Sequence, residues 1–224
     1  MSVTLYSHVD ASAIQFGPVK KNQFGGKAVY ANFGSNDRRV TMQTPKMKAP
    51  FGHSVFVDDN TRKESHTMTL NYNLDDGFIE IMKKFDECLK AVAVERSQEW
   101  FGRPQSMEVI DALYRPSVVP HPEGKYDPTL KVKIPWGGQG PVPEFYNSTT
   151  REQTTIDELE SGSMVTCVIE LASIWFVNKS FGASWKLMQC RIHPSNKLKG
   201  YQFVDAPAAA TNSYEDFEDD DGTM

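Results

Sequence analysis

The chain has 224 residues, with 24 Lys and Arg against 29 Asp and Glu for a formal charge of −5, and 39% of its residues are apolar. That length holds one large domain, or a domain with an appendage, and is enough to bury a real core. A mean hydropathy of −0.47 with no long apolar run excludes a bilayer-spanning helix.

The start, Met1-Ser-Val-Thr-Leu-Tyr-Ser-His, has neither the basic residues nor the apolar stretch of a secretion signal, so the chain is expected on the reducing side of membranes. Residues 1–73 read as strands and loops. Lys27 to Phe33 and Arg38 to Gln43 are short strand candidates separated by the hairpin signal Gly34-Ser-Asn-Asp, and Thr67 to Asn73 is a third. From Gly77 to Phe101 the period changes. Phe78, Ile81, Met82, Phe85, Leu89 and Val92 recur at the three-and-four spacing of an amphipathic helix, with Asp75 or Asp76 to cap its start and Gly102 and Pro104 to end it. A shorter helix is expected over Ser106 to Leu113. Pro116, Pro120, Pro122 and Pro128 then break the chain into extended pieces before a strand at Leu130 to Ile134.

Trp136-Gly-Gly-Gln-Gly-Pro-Val-Pro reads as a loop, and Asn147 to Ser163 is polar. The strongest strand signal follows: Met164 to Phe176, a turn over Asn178-Lys-Ser-Phe-Gly-Ala, and Ser184 to Ile192 predict a long hairpin. Lys197 to Phe203 reads as a short edge segment, and Ala206-Pro-Ala-Ala-Ala as a flexible linker. Strands, a long helix and more strands make an α+β domain that is mainly β. A five-stranded barrel of oligonucleotide-binding (OB) type, with the helix between its third and fourth strands plus extra strands, fits this order. The division is then a binding domain over 1–205 and a linker with a disordered acidic tail over 206–224.

Enzyme signatures are missing: there is no phosphate-loop, dinucleotide, H-E-x-x-H or G-x-S-x-G motif, and no cofactor motif. Asp75 and Asp76 read as a helix cap in preference to a metal pair. Cys88, Cys167 and Cys190 include no Cys-x-x-Cys pair and offer neither a disulfide framework nor a zinc site. His8, His53, His66, His121 and His193 are scattered and take structural or surface roles by default.

Cations interleaved with aromatics in loops and at strand ends are the residues that carry chemistry. Lys20, Lys21 and Lys27 lie near Phe16 and Phe24; Lys46, Lys48 and Phe51 share a loop; Lys131, Lys133 and Trp136 end a strand. Trp175, Phe176, Lys179, Phe181, Trp185, Lys186 and Arg191 decorate the hairpin. This mixture binds single-stranded nucleic acid, because bases stack on flat side chains while Lys and Arg neutralise phosphates; each aromatic taken singly is more often core than platform. Alternation assigns Met188, Cys190 and Ile192 to one face of the second hairpin strand, and Trp185, Gln189 and Arg191 to the other, with Leu187 as the exception. Trp185 is therefore a stacking candidate. On the first strand Trp175 shares the face of Val165, Cys167, Ile169 and Leu171 and is expected in the core, which leaves Phe176 as a platform.

The last 13 residues hold the acids Glu215, Asp216, Glu218, Asp219, Asp220 and Asp221 with Tyr214 and Phe217, and no cation. Taking those six from 29 leaves 23 carboxylates against 24 cations, so the body is near +1. Such a tail is either a solvated appendage or a competitor that fills a basic groove until a polyanion displaces it, after which it offers carboxylates and aromatics to partner proteins.

Thr44-Pro-Lys-Met-Lys-Ala-Pro-Phe-Gly, the hairpin strand Phe181-Gly-Ala-Ser-Trp-Lys-Leu-Met-Gln and the acid-aromatic C-terminus together resemble the single-stranded DNA-binding proteins of nucleo-cytoplasmic large DNA viruses, with the poxviral protein as a distant relative. The resemblance implies an OB-type barrel, sequence-independent binding of single-stranded DNA, and service in viral DNA replication, recombination or repair in the host cytoplasm or nucleus. It implies no catalytic residue and no metal. Lys46, Lys48, Phe51, Trp185, Lys186 and the tail carry over, the tail toward a polymerase, helicase or primase. A homo-oligomer is compatible with the sequence. Two other readings stand beside it: a structural virion protein whose hairpin pairs with a neighbour, and a small nucleic-acid enzyme holding Mg²⁺ on Asp75, Asp76 and Glu80 or on the acids near Asp157.

Overall fold

The stretch marked as a long hairpin forms one, with Ser163–Val177 and Ser180–His193 running antiparallel and joined by only two residues. Those two, Asn178 and Lys179, have φ of 47° and 66°, the left-handed pair that a two-residue hairpin turn needs if its twist is to match the strands. The ladder therefore continues to Val177 and Ser180, and Phe181 and Gly182, expected in a longer turn, are strand residues.

The computed structural model describes residues 3–21, 26–34, 38–73, 77–194 and 203–204. In chain order its main elements are β1 (Ile14–Lys21), β2 (Lys27–Phe33), β3 (Thr41–Ala49), β4 (His53–Val57), β5 (Glu64–Asn71), α1 (Phe78–Glu95), α2 (Ser97–Phe101), α3 (Met107–Leu113), β6 (Thr129–Lys133), β7 (Glu144–Asn147), β8 (Ser163–Val177) and β9 (Ser180–His193). The expected caps Asp75 and Asp76, the hairpin residues 35–37, most of the edge segment 197–203, Phe24, the linker and the tail lie outside the described residues. No helix among the described residues is long and apolar enough to cross a membrane.

Five strands close a ring. β8 pairs antiparallel with β3 on one side and β9 on the other. β9 runs parallel to β6, β6 is antiparallel to β5, and β5 returns to β3 at Asn71 and Lys48. Two expectations about order are corrected here. The Lys27–Phe33 strand lies outside the ring, and α1 follows the ring's second strand instead of its third. The cause is the length of β8, whose 15 residues extend about 50 Å. Its first half, through Glu170, serves β3, while Ile174–Phe176 pair with β2, which carries β1 outward.

The interior is filled from alternate positions: Val165, Cys167, Ile169 and Leu171 of β8 meet Met42 and Met47 of β3, Met68 and Leu70 of β5, and Leu130 and Val132 of β6. α1 buries Phe78, Met82, Phe85, Leu89 and Ala93, the stripe its period predicts. Asp86 on that helix is also buried. It accepts from the Tyr114 hydroxyl at 2.6 Å and from the amides of Ser117 at 2.9 Å and Val118 at 3.3 Å. Burial pushes its carboxyl above the usual range, and these bonds pull the other way. They tie α1 to the segment that runs beside β9.

Two irregularities in the hairpin overturn the simple alternation. Val168 pairs with Gln189 and Ile169 with Leu187, so Met188 is an extra residue; Cys190 and Ile192 point inward, and so do Leu187 and Trp185. Trp185, expected as an outer platform, is a core residue. Its ring meets Phe85 edge-on at 5.2 Å and its Nε1 donates to Ser117 Oγ at 3.1 Å. Phe181 is likewise buried, stacked on Phe176 at 6.0 Å. A second shift, between Leu171 and Ser173, leaves Ala172 extra and turns Trp175, expected in the core, half outward. The expected stability loss for Trp185→Ala is about 3–5 kcal/mol, read from urea unfolding; a loss below about 1 kcal/mol would show that the indole is not packed.

Candidate nucleic-acid interface

The hairpin tip separates two clefts that meet at Val177. On one side Phe176 leans on α2, 5.6 Å from Trp100 and 5.7 Å from Phe101, and these rings wall a cleft of about 440 Å³ rimmed by Lys27, Arg103 and Lys179. On the other side Trp175 lies across Gly182, its cross-strand partner. A Cβ at residue 182 would stand 2.7 Å from the Arg115 carbonyl oxygen and 3.0 Å from the indole, so only glycine lets this ring lie flat against the strand. That cleft, about 410 Å³, is lined by Arg115, Lys131 and Lys133 beside the half-exposed Trp175. Among the described residues no carboxylate lines either cleft.

Six cations with aromatic walls and no acid require segregation in a body near neutrality. Six exposed acids, Glu80, Glu87, Glu95, Glu99, Glu108 and Asp111, are carried by the helices, and the strand acids Glu64 and Glu144 line neither cleft. The walls of the two tip clefts are left to the cations.

Of the sequence candidates, Lys27, Lys131, Lys133, Phe176 and Lys179 come together around this tip. Lys20 lies in a separate cleft of about 400 Å³ with Tyr30, Asn32 and Arg39. Its Nζ is 5.4 Å and the Arg39 Cζ 5.5 Å from the Tyr30 ring, within cation–π reach. Lys21 is exposed at the end of the same strand. Lys46 and Lys48 point outward from β3, in cross-strand rows with Thr166 and Met164; Arg191 faces outward opposite Thr166. Phe51 is exposed in the turn after β3 and precedes Val55, Phe56 and Val57, all exposed on β4. Trp136, exposed on a small hairpin with Gly140–Pro141, lies 3.7 Å from the parallel His66 ring, which stacks in turn on His53. Burial, and then the neighbouring His66, hold the His53 imidazole below its usual range, while Asp157 acts against them.

Three candidates are corrected. Phe181 and Trp185 are buried and offer no face to a ligand. Lys186 is half-buried with its Nζ 3.1 Å from the buried Glu170 carboxylate, so its charge is committed to offsetting one that would otherwise be unpaired. The tail residues Tyr214 to Asp221 lie outside the described residues. Sequence reasoning did not single out Arg103, Arg115 and Arg39, although Trp100 and Phe101 precede Arg103 and Tyr114 precedes Arg115. It also misplaced Trp175, whose exposure was signalled only by the glycine that turns out to lie opposite.

A model of the family of unknown function DUF5871 matches residues 57–205. An uncharacterized protein of Acanthamoeba polyphaga mimivirus is 26% identical over 166 residues, 69% of this chain and 26% of that relative, so the chain spans about a quarter of the relative's length. Among solved structures, the single-stranded DNA-binding protein from bacteriophage Enc34 in complex with single-stranded DNA is similar with a TM-score of 0.49 at 14% identity, over 83% of this chain and 99% of that one. The single-stranded DNA-binding protein encoded by bacteriophage T7 is similar with a TM-score of 0.46 at 14% identity, over 80% and 99%.

The electrostatics of the Trp175 cleft are open to direct measurement. In a Trp136→Phe variant the remaining indoles are Trp175 and the buried Trp100 and Trp185. Relative to the quenching of free N-acetyltryptophanamide by each ion, iodide is expected to quench the emission more strongly than caesium, because Arg115, Lys131 and Lys133 concentrate anions at the half-exposed ring. An iodide-to-caesium ratio equal to that of the free compound would remove the positive cleft.

Proposed function

We propose that this chain, which belongs to the DUF5871 family, is a non-catalytic protein that binds single-stranded DNA without regard to sequence. The observation that carries this reading is the pair of clefts at the hairpin tip: six cations, half-buried aromatic walls and, among the described residues, no carboxylate. Phosphates of an extended strand would lie along Lys27, Arg103 and Lys179 on one side and Arg115, Lys131 and Lys133 on the other, releasing counterions. Bases would stack on Trp175 and on the Phe176 and Phe101 edges, each stack worth about 1–3 kcal/mol. Every base has a π-face, so this mode reads no sequence.

The ring is read as an OB-type barrel. Its antiparallel meander of three strands, the parallel pairing of the third with the last, and closure by the fourth support that reading. Residues 1–205 would form the binding domain. The resemblance to large-DNA-virus proteins supports a setting in viral replication, recombination and repair in the host cytoplasm or nucleus. The acidic tail would compete with DNA for the clefts and, once displaced, present Tyr214 and Phe217 among its carboxylates to replication proteins. A second reading, a structural interaction protein, rests on the exposed Phe51, Val55, Phe56 and Val57; it implies salt-insensitive self-association and no affinity for single strands.

Fluorescence anisotropy of labelled oligo-dT between about 50 and 300 mM salt separates the two readings. Binding is expected to weaken steeply, each phosphate contact contributing about −0.7 to the logarithmic salt slope. Lys179 gives the sharper form of this test. It holds a left-handed conformation that costs a non-glycine residue about 1–2 kcal/mol, so Lys179→Gly is expected to raise thermal stability while lowering affinity and flattening the slope. Unchanged affinity in that variant would take the tip out of the interface.

Truncation at Thr211 is expected to tighten oligo-dT binding at low salt and to have little effect near 300 mM, where the tail is screened. Equal or weaker binding by the truncated chain at low salt would discard the competing tail.

A further inference from the structure

At the opposite end of the hairpin the ring carries a second cleft of different chemistry, about 290 Å³ in volume. Thr166 on β8 is nine residues from Trp175, about 30 Å along an extended strand. Register builds the cleft from four neighbouring strands. Tyr146, Arg191, Thr166 and Lys46 form one cross-strand row, and Glu144, Gln189, Val168 and Gln43 the next on the same outer face.

The polar groups in this cleft are oriented. Glu144 Oε2 accepts from the Tyr146 hydroxyl at 2.9 Å and from Gln189 Nε2 at 2.8 Å, which fixes the phenol ring and leaves the Gln189 amide oxygen as an acceptor. Asn147 Oδ1 accepts from the amides of Thr149 and Thr150, leaving its NH₂ to donate. Among the described residues, neither Arg151 nor Arg191 lies within ion-pair distance of a carboxylate. His193, opposite Met164 beyond this row, has its Nε2 2.9 Å from Thr166 Oγ1.

Two unpaired guanidinium groups among oriented amides match a phosphodiester and the hydrogen-bonding edge of a base. The wide apolar walls of the tip clefts are missing here, so stacking is not its main mode. The geometry points to a second nucleotide subsite in this cleft, with one phosphodiester of the bound strand between Arg151 and Arg191 and a base edge against Gln43, Gln189 and Asn147. This inference rests on the single-strand reading of the tip. Only a strand long enough to cover the span between the two sites engages both, so affinity must depend on length through these residues.

The test compares oligo-dT of about 4 and about 16 nucleotides, the two ends of the range of site sizes for such barrels. It uses the full chain and the Arg151→Ala/Arg191→Ala variant, whose side chains lie at the surface. The variant is expected to bind the short oligonucleotide like the parent and the long one about ten-fold or more weakly, the loss of one or two charge-assisted contacts. In the parent, the His193 ring resonances are expected to shift with the long oligonucleotide and not with the short one. If the parent binds long DNA and the variant matches it at both lengths, with no His193 shift, the second subsite falls and the tip reading survives. If both lengths weaken equally in the variant, this cleft is the main site and the two-site arrangement is overturned. If the parent binds neither oligonucleotide, the single-strand reading falls and the subsite falls with it.

Discussion

A 15-residue strand is longer than the wall of a five-stranded ring needs, and the placement of the interface follows from the excess. The first half of β8 closes the ring against β3. The second half leaves the ring, takes β2 as its partner and ends in a two-residue turn, with Ile174, Phe176 and Phe181 on the face packed toward α2 and the core and Trp175 on the other. The bulge at Ala172 lets one strand do both tasks: by adding a residue it re-aims Trp175 outward while Ile174 stays in the core. Without that shift the indole would have pointed into the interior. The cleft with Arg115, Lys131 and Lys133 would then have had no aromatic wall.

Charge is distributed on the same plan. A body near +1 has no net field to attract a polyanion, so affinity for DNA depends on where the cations stand. Six acids ride on exposed helix faces, and among the described residues none lines a tip cleft. Basic side chains of the tip, of β3 and of the β1–β2 ribbon stand where neighbouring strands place them at fixed spacings. Lys186 marks the limit of this rule. A cation in the middle of the hairpin is held by the buried Glu170 and belongs to the fold.

How much of this was legible in the sequence depends on how local each signal is. α1 was legible because its apolar stripe recurs within the helix itself, and the hairpin because its apolar run and turn signal are contiguous, although the turn is two residues and not the six expected. Ring closure was not, since it depends on pairings such as Lys48 with Asn71 that no local pattern encodes. The two bulges leave no residue signature in Ala172 or Met188, yet each reverses the facing of every side chain beyond it. One reversal turned Trp175 half outward while Phe176 stayed half-buried beside α2, and the other put Trp185 in the core. Lysines in predicted loops were found correctly as surface cations; which of them meet was decided by the fold.

Trp175 and Lys179 occupy the tip in the two ways a binding surface is preorganised. The indole lies flat against Gly182, so little rotamer freedom would be lost in stacking a base on it. Lys179 stands at a left-handed position where glycine would be more stable, and its presence trades folding stability for charge at the outermost point of the hairpin. The polar cleft near Thr166 is preorganised differently, by Glu144 holding Tyr146 and Gln189. Both ends belong to one hairpin, so their separation is set by strand geometry. On the proposed reading a flexible single strand would conform to that spacing, which is how a chain of little net charge would hold it.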